Sequence, residues 1–342
     1  MAFSSFLHAK RFLIIRAEST PGMAVTPTAT DFDSRFEDAK YSPKIEFDGA
    51  KKLNVPDHGE YQDVPGAQAG EISASFRLCP GTALNVGPKC GKALLVSGLV
   101  GAAEGTTLGY SYSAKAAGDE QTYTAWMVDC SSDGTPVGIG HKLVGAIADV
   151  DVEASGVGKP LIGTLKMTGK YAVTTDLDNA ALNTLGAMTS PDTSAAYVLQ
   201  NATFKIGNTA YKISKFKMSS GNTVAPVINT ADATGYDFFG ITERKPRLSV
   251  NPLKSPVATY DAVATAMGGL GAVITIALTG PTYPLKLTVA NGQLLNPAEE
   301  QREGRVGWSM TFKAMRNGYE GGLKVADMLV GCPWELLQGT KS

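Results

Sequence analysis

With 342 residues, 43% of them hydrophobic and only 18% charged, the chain can bury a sizeable core. Its formal net charge of −1 excludes a global basic footprint of the kind that grips nucleic acid. The 38 glycines, many of them between alternating runs, favour an all-β chain over a helical one.

Phe12–Ala17 predicts a short strand, since its apolar run is bracketed by Lys10, Arg11 and Arg16 and is too short for a signal peptide or a membrane span. From Asp31 to Gln68 the chain is polar and punctuated by Pro43, Pro56, Gly59, Pro65 and Gly66. It reads as a long arm, with short strands around Ile45 and Tyr61. Ile72, Ala74, Phe76 and Leu78 alternate against Glu71, Ser73, Ser75 and Arg77, which predicts a strand. Pro88 is placed to open a helix with Leu94, Leu95, Gly98 and Leu99 as its buried stripe. Strands follow at Thr107–Ala114 and Gln121–Asp129.

The clearest pattern runs from His141 to Tyr171. Val150 and Val152 alternate with Asp149, Asp151 and Glu153. After a turn at Ala154–Gly158, Leu165 and Met167 alternate with Thr164, Lys166 and Thr168. This is a long hairpin with one apolar and one charged face.

Residues 176–196 are small and polar and read as a linker. Phe204–Met218 predicts two short strands about Gly207-Asn208, and Gly235–Pro252 an extended segment. Pro256–Met267 reads as a second helix with Ala258, Ala262, Val263 and Ala266 on one side. Gly271–Leu278 and Tyr283–Ala290 read as strands, Asn291–Arg305 as a charged loop, and Val306–Ala314 as a strand with Val306, Trp308, Met310 and Phe312 on one face. The order suggests duplication, with the hairpin Leu143–Glu153/Leu161–Tyr171 corresponding to Leu285–Ala290/Val306–Ala314. The domains then run 1–175, with the arm at 31–68, and 197–342, including a C-terminal tail.

No stretch carries a catalytic signature. His8, His58 and His141 are scattered, and Cys79, Cys90, Cys130 and Cys332 form no C-x-x-C pair. The cysteines therefore read as buried free thiols, and neither a metal nor a cofactor is expected. Gly87-Pro-Lys-Cys-Gly-Lys92 superficially matches a phosphate loop, but the first glycine is one residue too close and Ala93 stands where a hydroxyl is needed. Glu299–Glu303 reads as a solvated charged run, and the alternating acids of the hairpin lie about 7 Å apart on a flat strand, too spread for calcium.

The stretch Gly235-Tyr-Asp-Phe-Phe-Gly-Ile-Thr-Glu-Arg-Lys-Pro246, followed by a strand and by Tyr260–Ala264, resembles the tail tube (major tail) proteins of long-tailed bacteriophages. Ala202–Asn208, Arg16–Gly22 with Pro27-Thr28, and Gly87-Pro88 with Leu94-Leu95 resemble other parts of that family, whereas the Asn291–Arg305 loop and the tail after it depart from it. The resemblance implies a mainly β fold: a duplicated tail-tube-type β-sandwich, each copy flanked by a helix, whose long hairpins join between subunits into an oligomeric β-barrel. It implies a non-enzymatic virion protein, assembled in the host cytoplasm, that stacks as rings into the tail tube. Such a tube encloses a tape-measure protein, meets tail terminator and tail-tip proteins, and passes genomic DNA without binding it specifically.

Trimeric rings are expected, with hexamers as the alternative. With about four barrel strands from each half, as the resemblance implies, and about 6 Å of circumference each, three chains give a barrel about 48 Å across. Asp149, Asp151, Glu153, Lys166, Lys170 and Lys313 are expected to face the channel, the acids making part of it acidic. Asp31, Tyr41, Phe47 and Tyr61 are expected on an inter-ring arm that orders on assembly. A secreted or membrane-associated β-barrel adhesin is the alternative reading, and a hydrolase on a β-scaffold a further one.

Overall fold

The computed structural model describes residues 6–28, 31, 36–48, 64–83, 85–103, 110–114, 121–131, 138–177, 194–302, 304–315 and 335–338. The chain is mainly β. Its strands in order are β1 (Phe6–Ala17), β2 (Phe36–Asp48), β3 (Val64–Arg77), β4 (Leu99–Ala103), β5 (Tyr110–Ala114), β6 (Tyr123–Ser131), β7 (Gly138–Ala154), β8 (Ile162–Leu177), β9 (Thr203–Ile206) and β10 (Thr209–Tyr211). They continue with β11 (Phe216–Ser219), β12 (Asn222–Ile228), β13 (Tyr236–Arg244), β14 (Arg247–Val250), β15 (Gly271–Leu278), β16 (Leu285–Leu294), β17 (Ala298–Arg302), β18 (Arg305–Ala314) and β19 (Glu335–Gln338). Among the described residues two short helices, α1 (Gly91–Val96) and α2 (Ala262–Gly268), interrupt them.

The hairpin read from the alternation is β7–β8. It is longer than expected, because its outer pairs extend from Glu153↔Ile162 back to Gly138↔Leu177. β8 adds β3 along Ala69–Arg77, and β3 adds β2. On its other side β7 meets two strands end to end, β6 over its first half and β11 over Asp151–Ala154. β11 leads to β14, β14 to β18, and β18 to its hairpin partner β17. Among the described residues this antiparallel sheet does not close into a barrel. β12 and β13 form a separate hairpin.

One apolar core runs through both halves, from Leu13, Phe76, Leu143 and Met167 to Phe204, Ile276, Leu287 and Phe312. Val152, Phe216 and Met218 of β7 and β11 look across at Ile276, Leu278, Leu285 and Leu287 of β15 and β16, so the curled sheet packs against itself. Of the expected linker, Asp176 and Leu177 belong to β8, and Tyr197 returns to bond Leu78 and Leu161 through its backbone. Residues 178–193 lie outside the described residues.

Several expectations are corrected. Much of the Asp31–Gln68 arm is sheet, because β2 pairs with β3 from Phe36↔Phe76 to Asp48↔Val64. Its alternation was illegible because Ser42–Phe47 are exposed on both faces. The first helix begins at Gly91, not at Pro88, and Gly98, with φ 76°, ends it so that Leu99 opens β4. The second helix begins only at Asp261, whose carboxylate accepts from the Ala264 amide at 2.9 Å. Pro256–Thr259 is a turn, and Ala258 and Val263 are exposed. The charged loop 291–305 is the end of β16 and the β17–β18 hairpin. The proposed counterpart of the long hairpin also differs: Leu285–Ala290 lies between β15 and β19, and β16 meets β18 only over Gly292–Leu294. On β18, Met310 and Phe312 are buried but Val306 is exposed.

Gly163 shows how tightly the hairpin is packed. A Cβ there would sit 2.0–2.5 Å from the fully buried Phe76 ring. Gly163→Val is therefore expected to lower stability by about 1–3 kcal/mol or more through overpacking, measured as a fall in the denaturant midpoint. An unchanged midpoint would mean that the ring has room to move.

Candidate functional site

Because directly paired residues of an antiparallel sheet point to the same side, register places the polar side chains. Glu37, Ser75, Thr164, Asp151, Ser219, Arg247 and Lys313 form one unbroken row across β2, β3, β8, β7, β11, β14 and β18. Arg77, Ile162, Glu153, Lys217, Ser249 and Thr311 form the next. Lys40, Ser73, Lys166 and Asp149 form a third. Lys170 shares the parity of Lys166 on β8, which pairs with β3 without a bulge between them. All six residues expected to line a channel thus lie on one face of one sheet, while Val150, Val152, Leu165 and Met167 are buried beneath it.

The face is not an acidic wall. Asp149 accepts from the Ser220 hydroxyl at 2.6 Å and the Asn222 amide at 2.9 Å, pinning the turn after β11. Asp151 pairs with Lys217 at 2.8 Å, which raises the lysine pKa through that hydrogen bond, and Glu153 stands directly opposite the same lysine. Burial by itself would raise the Glu71 pKa, but Lys44 and Lys166, both bonded to it, bring it below the ordinary value. Lys170 bonds Asp232 at 2.8 Å and, with Thr234, lowers that carboxyl to about 2. Lys217 and Arg247, which sequence reasoning passed over, belong to the same face. The alternation Phe216-Lys-Met-Ser219 carried a signal for the first.

Of the four residues expected on an inter-ring arm, the three that are described are dispersed. Asp31 bonds Lys92 at 3.1 Å and accepts from the Thr28 amide and hydroxyl, so its pKa is lowered although burial opposes it. Tyr41 is stacked on His141 with ring centroids 4.7 Å apart, and burial, then Tyr171, push its hydroxyl up to about 12. Phe47 projects from β2, 60% exposed. Tyr61 lies outside the described residues.

His141 belongs to a polar cluster tying five strands together. Arg11 of β1 bonds Asp129 of β6 and the Ala39 carbonyl of β2; Asp129 Oδ2 lies 3.5 Å from His141 Nε2, and Thr174 Oγ1 of β8 lies 3.5 Å from His141 Nδ1. Burial lowers the His141 pKa, Asp129 opposes that, and Arg11 adds to it. A histidine depressed in the folded state contributes stability that is fully present above its unfolded pKa of about 6.5 and is lost as pH falls through the folded value. The unfolding free energy is therefore expected to drop on acidification below about pH 6.5, and His141→Gln is expected to remove part of that dependence. Chemical denaturation between neutral and acidic pH checks this, and an identical pH profile in the variant would refute it.

Among the described residues there is no group of three or more His, Cys, Asp or Glu side chains able to hold a metal, and no helix is long and apolar enough to cross a membrane. The described cysteines, Cys79, Cys90 and Cys130, are buried. The resemblance motif at 235–246 forms β13 and the turn into β14. It seats on glycines: a Cβ at Gly145 would meet Phe238 at 2.8 Å, one at Gly22 would meet the Asp237 carbonyl at 2.3 Å, and both glycines have positive φ. No protein-family model matches the chain, and no curated protein matches it.

Proposed function

We propose that the chain is a structural subunit that polymerises into a tube of the bacteriophage tail-tube kind it resembles. The observation that carries this reading is the order β2-β3-β8-β7-β11-β14-β18-β17: eight antiparallel strands, the central ones apolar beneath and polar above, in which β2 and β17 each pair along one edge only among the described residues, while β18 also meets β16 over Gly292–Leu294. An open edge invites pairing with another chain, and closure among copies removes it. The quartets β2-β3-β8-β7 and β11-β14-β18-β17 support a duplicated unit, four strands from each half. Three copies supply twenty-four strands and a barrel about 48 Å across between backbones, wide enough for a duplex after side chains are allowed for. Pro43 and two register shifts in β2 guard that edge against stray pairing, which supports assembly from a nucleus.

On this reading the polar face lines the channel, the tape-measure protein and then genomic DNA occupy it, and terminator and tip proteins close the ends. The protein would belong to the virion tail, assembled in the host cytoplasm. The test is electron microscopy and mass measurement of the concentrated protein. Rings of about three times the 35.8 kDa chain mass, stacking into tubes, are expected. A ring of six chains would overturn the duplicated unit, and a protein that stays monomeric at every concentration would overturn the tube.

A further inference from the structure

The charges on the polar face are unequally presented. Around Glu71 and Asp151 the carboxylates lie low, while the lysines bonded to them reach outward; Arg77 and Glu37 are equally exposed, and Lys170 lies lower than its partner Asp232. Glu71 is 17% exposed against 52% for Lys44 and 59% for Lys166, and Asp151 is 28% exposed against 50% for Lys217. Whatever approaches this part of the face, around Glu71 and Asp151, meets ammonium groups first.

Two further cations have no carboxylate at all. Arg247 and Lys313 stand directly opposite each other on β14 and β18, both exposed, and neither side chain makes an ion pair or hydrogen bond among the described residues. Like charges placed directly opposite destabilise a sheet. This pair is not an edge device, because β14 lies between β11 and β18, and β18 meets β16 at Lys313↔Gln293. Ser219, Ser249 and Thr311 border it in register, so hydroxyl donors surround it. Asp151, the next carboxylate along the row, is two strands from Arg247 and is held by Lys217.

We propose that Arg247 and Lys313 are the centre of a sequence-independent contact for the phosphodiester backbone of nucleic acid. The two heads project from side chains about 5 Å apart at Cβ, close enough to bracket phosphate oxygens, and a guanidinium can hold them bidentately. Lys217, Arg247 and Lys313 lie on the successive strands β11, β14 and β18, which suits a continuous polyanion better than a single carboxylate. The two long rows hold no aromatic side chain on which bases could stack, so the contact reads the backbone alone. This gives the face a partner by its own chemistry and does not depend on the chain forming tubes.

The test is fluorescence anisotropy of a labelled mixed-sequence duplex of about 20 base pairs, titrated with wild type and with Arg247→Gln/Lys313→Gln between about 50 and 200 mM salt. Protein is kept below the concentration at which light scattering detects polymer. Wild type is expected to bind with a steep salt dependence. The double variant is expected to bind at least about tenfold more weakly at the lower salt and to lose about 2 from the slope of log affinity against log salt. Its melting temperature is expected to equal or exceed that of wild type, since a repulsive pair is removed; a lower value together with weaker binding would overturn the assignment of the loss to the two charges. No binding by wild type at low salt, or equal binding by both proteins, would overturn the proposal. Displacement of the duplex by polyglutamate at lower charge concentration than by unlabelled duplex would overturn it in favour of an acidic protein partner.

Discussion

Replacing Glu18 with alanine is expected to lower the unfolding free energy by about 3–5 kcal/mol, one of the largest effects of any single change in this chain. Glu18 is only 3% exposed, yet it is a carboxylate. Its Oε1 accepts from the Thr124 hydroxyl and the Gly145 amide, each at 2.8 Å, and its Oε2 from the Thr122 hydroxyl at 2.8 Å and the Gly22 amide at 2.9 Å. One side chain thus joins the turn after β1 to β6 and to the bulge of β7. Alanine would leave three buried donors and the half-buried Gly22 amide without their acceptor, and the two amides cannot rotate away. Glutamine is expected to cost less, about 1–3 kcal/mol, because it keeps one oxygen and the two hydroxyls can reorient. Equilibrium unfolding in denaturant measures both changes. A loss below about 0.5 kcal/mol for the alanine variant would mean that water replaces the carboxylate. Since Gly22 and Gly145 also seat β13, faster amide exchange in β13 should accompany the loss.

If the chain assembles as proposed, Phe47→Asp combined with Ile228→Asp is expected to leave the isolated chain folded and to abolish ring stacking. Phe47 and Ile228 are 60% and 75% exposed, so each gives up little packing on substitution, and stability should shift by no more than about 0.5 kcal/mol. They lie toward the same end of the molecule. Tyr236, the strand partner of Ile228, bonds Glu46, the neighbour of Phe47, at 3.5 Å, and Gln68 of β3 bonds Thr234. Exposed Ile45 and Val227 adjoin them in sequence, forming the materials of an apolar patch. If this end meets the next ring, burying a phenylalanine and an isoleucine contributes about 1.5–3 kcal/mol each per contact, repeated around the ring. Buried aspartates reverse that sign. Sedimentation and negative-stain images at a concentration where wild type forms tubes would decide the matter: rings without tubes are expected. Tubes of normal length would place the stacking surface elsewhere.

Period-two alternation made the strands legible wherever one face is buried. Glu71–Leu78, Asp149–Glu153, Thr164–Thr168 and Gly271–Leu278 could be read because burial of every second residue is a local constraint written into consecutive letters. It also sufficed to put Asp149, Asp151 and Glu153 on the side away from Val150 and Val152. β17 was missed, and β2 was read only as a short strand around Ile45, for the converse reason. Much of β2 is exposed on both faces, and in β17 Ala298, Glu299 and Gln301 are exposed and only Glu300 and Arg302 half-buried, so neither strand carries an apolar stripe. The helices came out shorter than expected because Asp261 caps one only after a proline turn and Gly98 stops the other.

By itself, then, the sequence determined a β-rich chain, the long hairpin and the two characters of its faces. Only the tertiary structure decided which strands lie side by side. Lys313 and Asp151 lie in one row only because β11 and β14 stand between their strands, and no local pattern encodes such pairings between distant segments. That same non-local register turned an expected acidic surface into one where Lys44, Lys166 and Lys217 cover the carboxylates. It also left Arg247 and Lys313 facing each other, because the sign of a surface depends on which side chains reach outermost once strands are neighbours.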